Sequence, residues 1–277
     1  MKIKEIIIGF IIGLLGISMT SCVEKIDIEL DDKTLNILIV DGWVSDNDSI
    51  QYVKLSLTAP YGSEKCPPAT GAVVSISVDN QTYHLPEVEP GLYQTTEFRG
   101  EIGKTYNLNI RYDNEIYQAQ STMQMGFEID SVLIQKFSGG MPADLPHYEV
   151  FISGQDDPTP DQNFVFQFAM NDKWDGNFVN WGYYTDFITN GAYLDKQRVT
   201  LVSTYDLEFD FQVRAFSVSI DYMWFMDKCI FNVMPNMFFS PPPANVKGNI
   251  SNNAFGYFNA SSVNYSEKIR IKKEDYF

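Results

Sequence analysis

The stretch KTYNLNIRYDNEIYQAQSTM, residues 104–123, alternates along its first half: Tyr106, Leu108 and Ile110 fall on one side, Asn107, Asn109 and Arg111 on the other. A period of two belongs to a β-strand with one buried face. Asp113 and Asn114 interrupt the alternation and Ile116 resumes it, so the segment reads as a hairpin closed by a tight turn. Working outward, the same pattern recurs in LNILIVDGWVS (35–45), QYVKLSLT (51–58) and AVVSISV (72–78). These are short runs rich in β-branched and aromatic residues, set apart by Gly, Pro, Asn and Asp. Five or more such strands over about ninety residues predict a β-sandwich of immunoglobulin-like or carboxypeptidase-regulatory-like type across residues 35–125. Trp43 is expected in its core. There is no Cys-Trp-Cys pattern, so an antibody-type domain is not expected.

Residues 126–277 form the expected second β-rich domain, beginning with SVLIQKF (131–137), YEVFISG (148–154) and NFVFQFAM (163–170). One amphipathic helix is expected near 217–234. Its apolar side would carry Ile220, Met223, Trp224, Cys229, Ile230 and Val233 and pack on the second sheet, with Asp221, Lys228 and Asn232 opposite. Ser219 is placed to cap it and Pro235 to stop it. Pro241, Pro242 and Pro243 read as a stiff connector before a final strand near Lys268 to Ile271. The whole is mainly β.

Of the 277 residues, 44% are hydrophobic and 14% aromatic, which supplies the apolar area a folded protein needs. The formal charge is -16. A chain this acidic repels phosphate backbones and anionic lipid surfaces, so nucleic acid is not expected as a partner.

The amino end has its own logic. Lys2 and Lys4 precede a largely apolar run from Ile6 to Met19, the layout of a signal peptide. That run falls short of the roughly twenty apolar residues of a membrane-spanning helix. The four residues MTSC, 19–22, resemble a bacterial lipobox, with Met19 where Leu is usual. The resemblance implies a leader over 1–21, diacylglycerol on the Cys22 thiol and a mature chain starting there. Loss of Lys2, Lys4 and Glu5 with the leader takes the charge from -16 to -17. Two or three acyl chains together make membrane attachment effectively permanent, where one binds only marginally. Residues 22–34 read as an acidic tether reaching about 20 Å on average, or roughly 40 Å stretched. Ile26, Ile28 and Leu30 alternate with acids in the same segment, as an edge strand would.

Chemistry is harder to find. The sequence holds no G-x-S-x-G, H-E-x-x-H, Walker loop or G-x-G-x-x-G. His84 and His147 stand apart from each other and from Cys66 and Cys229, so neither a zinc site nor a nucleophile–base pair is expected, and no catalytic residue, metal or cofactor is assigned. Cys66 and Cys229 are expected as two separate thiols. Oxygen-rich loops at 46–49 and 156–161 lack the spacing of an EF-hand and are explained by turn chemistry. The best candidate for recognition is NDKWDGNFVNWGYYTDF, 171–187, where Trp174, Trp181, Tyr183 and Tyr184 are placed either to stack on a sugar or grip a partner, or to form the core of a hairpin.

Several stretches together carry a family resemblance: ILIVDGWVSD (37–46), PATGAVVSISV (68–78), EVEPGLYQT (87–95), GEIGKTYNLNIRYDNEIYQAQSTM (100–123) and VKGNISNNAFGYFNASSV (246–263), behind a lipobox cysteine and acids. In order and spacing they resemble the Bacteroidetes lipoproteins of the domain-of-unknown-function 4249 family, whose usual Gly before the late Ala-x-Gly-Tyr-Phe word is Asn253 here. The acids behind Cys22 resemble the surface-export signal of Bacteroidetes lipoproteins. The resemblance implies a lipid-anchored outer-membrane protein at the cell surface, an accessory of a TonB-dependent transporter in nutrient uptake. It would be a non-enzymatic binder of a glycan or peptide. An envelope hydrolase using loop carboxylates and an adhesion or structural module are the alternatives.

Overall fold

The computed structural model describes residues 36–47, 50–60, 63, 65–137, 146–185, 190–204, 206, 208–234 and 246–272. Cys22, the leader, the tether, Pro235 and the Pro241–Pro243 connector lie outside the described residues.

In chain order the strands are β1 (Leu38–Ser45), β2 (Gln51–Leu57), β3 (Val73–Val78), β4 (Gln81–Leu85), β5 (Glu87–Glu89), β6 (Leu92–Thr95), β7 (Thr105–Tyr112), β8 (Glu115–Thr122) and β9 (Glu128–Lys136). Then follow β10 (His147–Gln155), β11 (Asn163–Met170), β12 (Lys173–Trp174), β13 (Gly182–Thr185), β14 (Tyr193–Ser203), β15 (Phe209–Val218), the helix α1 (Ile220–Val233), β16 (Phe255–Ser261), β17 (Val263–Tyr265) and β18 (Ile269–Ile271).

The opening hairpin is β7 and β8, paired in antiparallel register from Thr105 with Thr122 to Tyr112 with Glu115. Asp113 and Asn114 both have left-handed backbones, φ 49° and 61°, the requirement of a two-residue turn matched to strand twist. Tyr106, Leu108 and Ile110 are buried as the alternation predicts. Their sheet, ordered β4-β3-β7-β8, shares a core with a five-stranded sheet ordered β16-β1-β2-β6-β5. Val40, Val44 and Val53 meet Ile76, Leu108 and Ile110 there.

The fifth strand of that sheet comes from the far end of the chain. β16 runs parallel to β1, from Ile39 beside Phe255 to Ser45 beside Ser261, and sends Phe258 and Ala260 into the first core. Two tight positions allow it. Asn253 has φ 56°, a left-handed conformation that Gly and Asn enter at least cost. Gly256 has φ +95°, and a Cβ there would lie 1.9 Å from the Val40 carbonyl oxygen. Asp46 fastens the return: Oδ1 accepts from the Val263 N–H at 2.8 Å and Oδ2 from the Ser262 hydroxyl at 2.6 Å. The residues 35–277 accordingly form one compact unit, although its strands fall into two sandwich-like pairs of layers.

The second layer pair has β14-β10-β9 against β12-β11-β15-β17, with β13 beside β11 and β18 beside β15. Phe127, Tyr148, Phe164, Phe166, Phe209 and Phe211 fill its core. β11 is buried on both faces: Phe164, Phe166 and Phe168 enter this core, while Val165 and Gln167 point the other way.

Two expectations are corrected. Trp43 is not in the first core: it alternates with Val40 and Val44, so it stands half-buried on the outer face of β1, in a third cluster with Phe216, Tyr222 and Tyr257. The helix forms where expected, with Ser219 Oγ accepting from the Tyr222 N–H at 3.2 Å, but presents a different side. Tyr222 and Met226, one turn apart, are its buried residues, and Met223 and Phe225 flank them. Ile220, Trp224 and Val233 are exposed, with Phe231. Apolar residues surround nearly the whole helix, so periodicity alone does not select the side that packs.

Candidate functional site

The outer faces of β1 and β15 approach each other with α1 at one side, and between them lies a cavity of about 250 Å³. The register determines its walls. Trp43 on β1 is directly opposite Tyr52 on β2. Across the gap Val165 on β11 is opposite Phe216 on β15, and two residues along the same face Gln167 is opposite Arg214. All six line the cavity, closed by Tyr222 from α1 and by Trp181 at the end of the short 3-10 turn Phe178–Asn180. The aromatic rings meet edge to face: Trp43 and Phe216 have centroids 5.2 Å apart at 88°, and Trp43 and Tyr222 6.1 Å apart at 70°. That arrangement suits the ring quadrupoles.

Arg214 is the charged group of the cavity. Its Nε donates to Gln167 Oε1 at 2.7 Å, and its guanidinium carbon lies 4.3 Å from the ring centroid of Trp174 and 4.7 Å from that of Phe216. One backbone carbonyl, that of Asp175, fixes the neighbours, accepting from Gln167 Nε2 at 2.6 Å and Trp181 Nε1 at 2.8 Å. The Asp175 carboxylate is taken up by its own turn, accepting from the Asn177 N–H at 2.8 Å and Asn180 Nδ2 at 2.9 Å. Among the described residues Arg214 therefore has no ion pair, and its two outer nitrogens have no protein acceptor.

Asp41 lies two residues from Trp43 on the same face of β1, opposite Lys54. Part of its surface stays exposed, yet the atoms packed round the carboxyl desolvate it and raise its pKa, against the lowering effects of the Lys54 charge and a hydrogen bond from Tyr52.

The four aromatics singled out from sequence are divided by the fold. Trp181 lines the cavity. Trp174 stands behind Arg214 as its platform. Tyr183 is half-buried in the third cluster, donates to the Phe178 carbonyl at 2.8 Å, and has its pKa raised by burial. Tyr184, one residue on, faces the opposite side of β13 and stacks on Phe164 at 6.4 Å. Sequence reading missed Trp43, Tyr52, Arg214, Phe216 and Tyr222, which come from four separate elements. The available signal was the strand alternation: QVRAFSV, 212–218, puts Arg214 and Phe216 on one face.

Several other polar groups among the described residues are engaged in bonds within the fold. His147 Nδ1 is 2.6 Å from Ser203 Oγ, and His84 is exposed on β4. In the 156–161 loop, Asp157 accepts from the Thr159 N–H at 2.9 Å and from the Thr159 hydroxyl, bonds that lower its pKa, and Asp156 Oδ2 accepts from the Gly191 N–H at 3.1 Å. Cys66 and Cys229 are both free thiols. Among the described residues no group of three or more His, Cys, Asp or Glu side chains is placed to hold a metal ion, and no helix is long and apolar enough to cross a membrane.

Residues 23–267 match the family described as Domain of unknown function (DUF4249). The chain belongs to this family. The match includes β1, the cavity strands and the returning β16, so the walls of the site lie within the family's shared region. No curated protein matches the chain. Among solved structures it is similar to a chain of one titled "Cytokine receptor complex - Crystal form 1A", at 9% identity over 84% of this chain and 96% of that one, with a TM-score of 0.26.

Proposed function

We propose that this chain is a non-enzymatic binding protein, held at the outer membrane by lipid on Cys22 and serving a TonB-dependent transporter in nutrient uptake. The cavity carries the binding part of this reading. Its lining of aromatic rings, one amide and one guanidinium is a chemistry of holding a small molecule, with little capacity for moving protons. The lipobox-like MTSC supports the anchor, and the family resemblance supports the company of a transporter. The exposed apolar residues Trp224, Phe231 and Val233 on α1 are the surface we assign to that partner, since apolar groups grouped on one helix favour a protein contact.

Fatty-acid labelling of cells carrying the protein should mark the wild type and leave Cys22→Ala unmarked, and protease shaving of intact cells should remove the mature body. Extraction in mild detergent should recover an outer-membrane barrel with the wild type and not with a Trp224→Glu, Phe231→Glu variant. Unlabelled wild type would remove the anchor from this reading, and extraction without any barrel would remove the transporter.

A further inference from the structure

A half-buried cation without an anion calls for a ligand. Arg214 sits on the cavity wall with Trp174 behind it and Phe216 beside it, held by one bond to Gln167, and among the described residues no carboxylate pairs with it. A guanidinium carries a full positive charge, and the outer N–H groups of this half-buried one have no protein acceptor among the described residues. Those groups form a planar fork that fits the two oxygens of a carboxylate. Asp41 and Lys54, on the neighbouring strands β1 and β2, are opposite one another, and neither lines the cavity. One uncompensated positive charge in a chain of formal charge -16 matches a singly charged anion and disfavours a doubly charged phosphate.

The remaining walls describe the rest of the ligand. Trp43, Trp181 and Tyr222 offer ring surfaces, and the cavity of about 250 Å³ lies below the roughly 300–1,000 Å³ of sites for drug-sized molecules. The space takes one ring or one fused ring pair. We propose that the cavity binds a small carboxylate carried on such a ring, with the carboxylate on the outer nitrogens of Arg214 and the ring between Trp43, Trp181 and Tyr222. This rests on reading the cavity as a binding site. The ring is either aromatic or a sugar, as in a uronic acid. Both share the chemistry the walls recognise, because a sugar's C–H face stacks on an indole as an aromatic ring does.

The test uses the full mature chain and two matched pairs of probes: indole-3-acetate against indole-3-acetamide, and methyl glucuronide against methyl glucoside. Within each pair only the carboxylate changes. Binding is followed by calorimetry and by the fluorescence of Trp43 and Trp181. The expected result is that one carboxylate binds roughly ten- to a hundredfold more tightly than its neutral counterpart, the range of a charge-assisted hydrogen-bonded pair. Which pair responds identifies the ring. Arg214→Gln should abolish the preference, and Arg214→Lys should retain part of it. Thermal unfolding of both variants checks that they fold, and if neither does, the wild-type comparison decides alone. Neutral and charged probes binding equally would overturn the carboxylate assignment and leave the cavity as a binding site. Failure of all four at millimolar concentration would overturn both.

Discussion

The guanidinium of Arg214 lies over the indole of Trp174, 4.3 Å from its centroid, and the two residues come from different strands, β15 and β12, of one sheet. A cation over an aromatic face is stabilised by about 0.5–2 kcal/mol, more as water is excluded. The contact also does for Arg214 what a salt bridge does elsewhere, orienting it without neutralising it. Trp174→Ala is expected to lower stability by about 1–3 kcal/mol in urea unfolding, through the lost contact and the packing with Tyr265. It should also reduce the proposed carboxylate preference of the cavity, whereas Trp174→Phe keeps part of both. A variant that lost stability and kept the full preference would show that Arg214 needs no platform.

Glu87 gives a pH dependence with a definite sign. Its Oε1 accepts from the Gly91 N–H at 2.8 Å and its Oε2 from the Gly71 N–H at 2.9 Å, and these two bonds hold its pKa below the ordinary 4.5. A carboxyl depressed in the folded state stabilises the protein fully above its unfolded value and loses that contribution as pH falls through the folded value. Glu87→Gln should therefore melt below the wild type at neutral pH, and the two melting curves should converge as the pH is taken down from 4.5. The difference is small, because Glu87 is exposed and water and salt screen it. A gap that persisted unchanged to the lowest pH would assign the effect to shape and not to charge.

How much of this was legible in the sequence follows from which contacts are local. The β7–β8 hairpin was, since its turn and alternation are neighbours in the chain. So were β1, β2, β3, β10 and β11, whose runs are apolar and short. The site was not. Trp43 and Arg214 are 171 positions apart by number, and they meet because β16 returns beside β1 and leaves the outer faces of two layers together. That parallel pairing has no turn to announce it, only Asn253 and Gly256 in left-handed backbone. β14 and β15 are not legible in this way, because polar residues interrupt their apolar ones, and Arg214 and Phe216 lie on β15. In the aromatic stretch 171–187, a period of two separates Tyr183 from Tyr184, so composition found the neighbourhood while the register chose among its members.

Gly256 is where the return of the chain is most sharply constrained. With φ +95° and the Val40 carbonyl 1.9 Å from where a Cβ would stand, Gly256→Ala has to move the backbone of β1 or of β16. A loss of at least about 3 kcal/mol is expected, from strain and clash together. Gly71 is the control: its φ is +77° with nothing within 4 Å, so Gly71→Ala should cost only about 1 kcal/mol for the conformation. Both are read in urea unfolding of the full chain. Equal costs would show that the parallel pairing of β1 and β16 is loose enough to admit a side chain.

The helix offers a test of orientation that needs no ligand. Tyr222 is 8% exposed and packs edge to face on Tyr257 at 5.0 Å, while Trp224, two residues on and larger, is 59% exposed. If burial and not residue size sets the energetics, Tyr222→Ala should cost about 3–5 kcal/mol, the range for removing a buried aromatic. Trp224→Ala should fall within about 0.5 kcal/mol of the wild type, as surface replacements do. Tyr222→Phe separates ring from hydroxyl. Burial holds the hydroxyl's pKa well above the ordinary value and the ring supplies the packing on Tyr257, so the change to Phe should cost far less than the change to Ala and leave the helix seated. A large loss at Trp224 in the isolated protein would mean that α1 turns its other side inward, and the cavity would then lose the wall that Tyr222 provides.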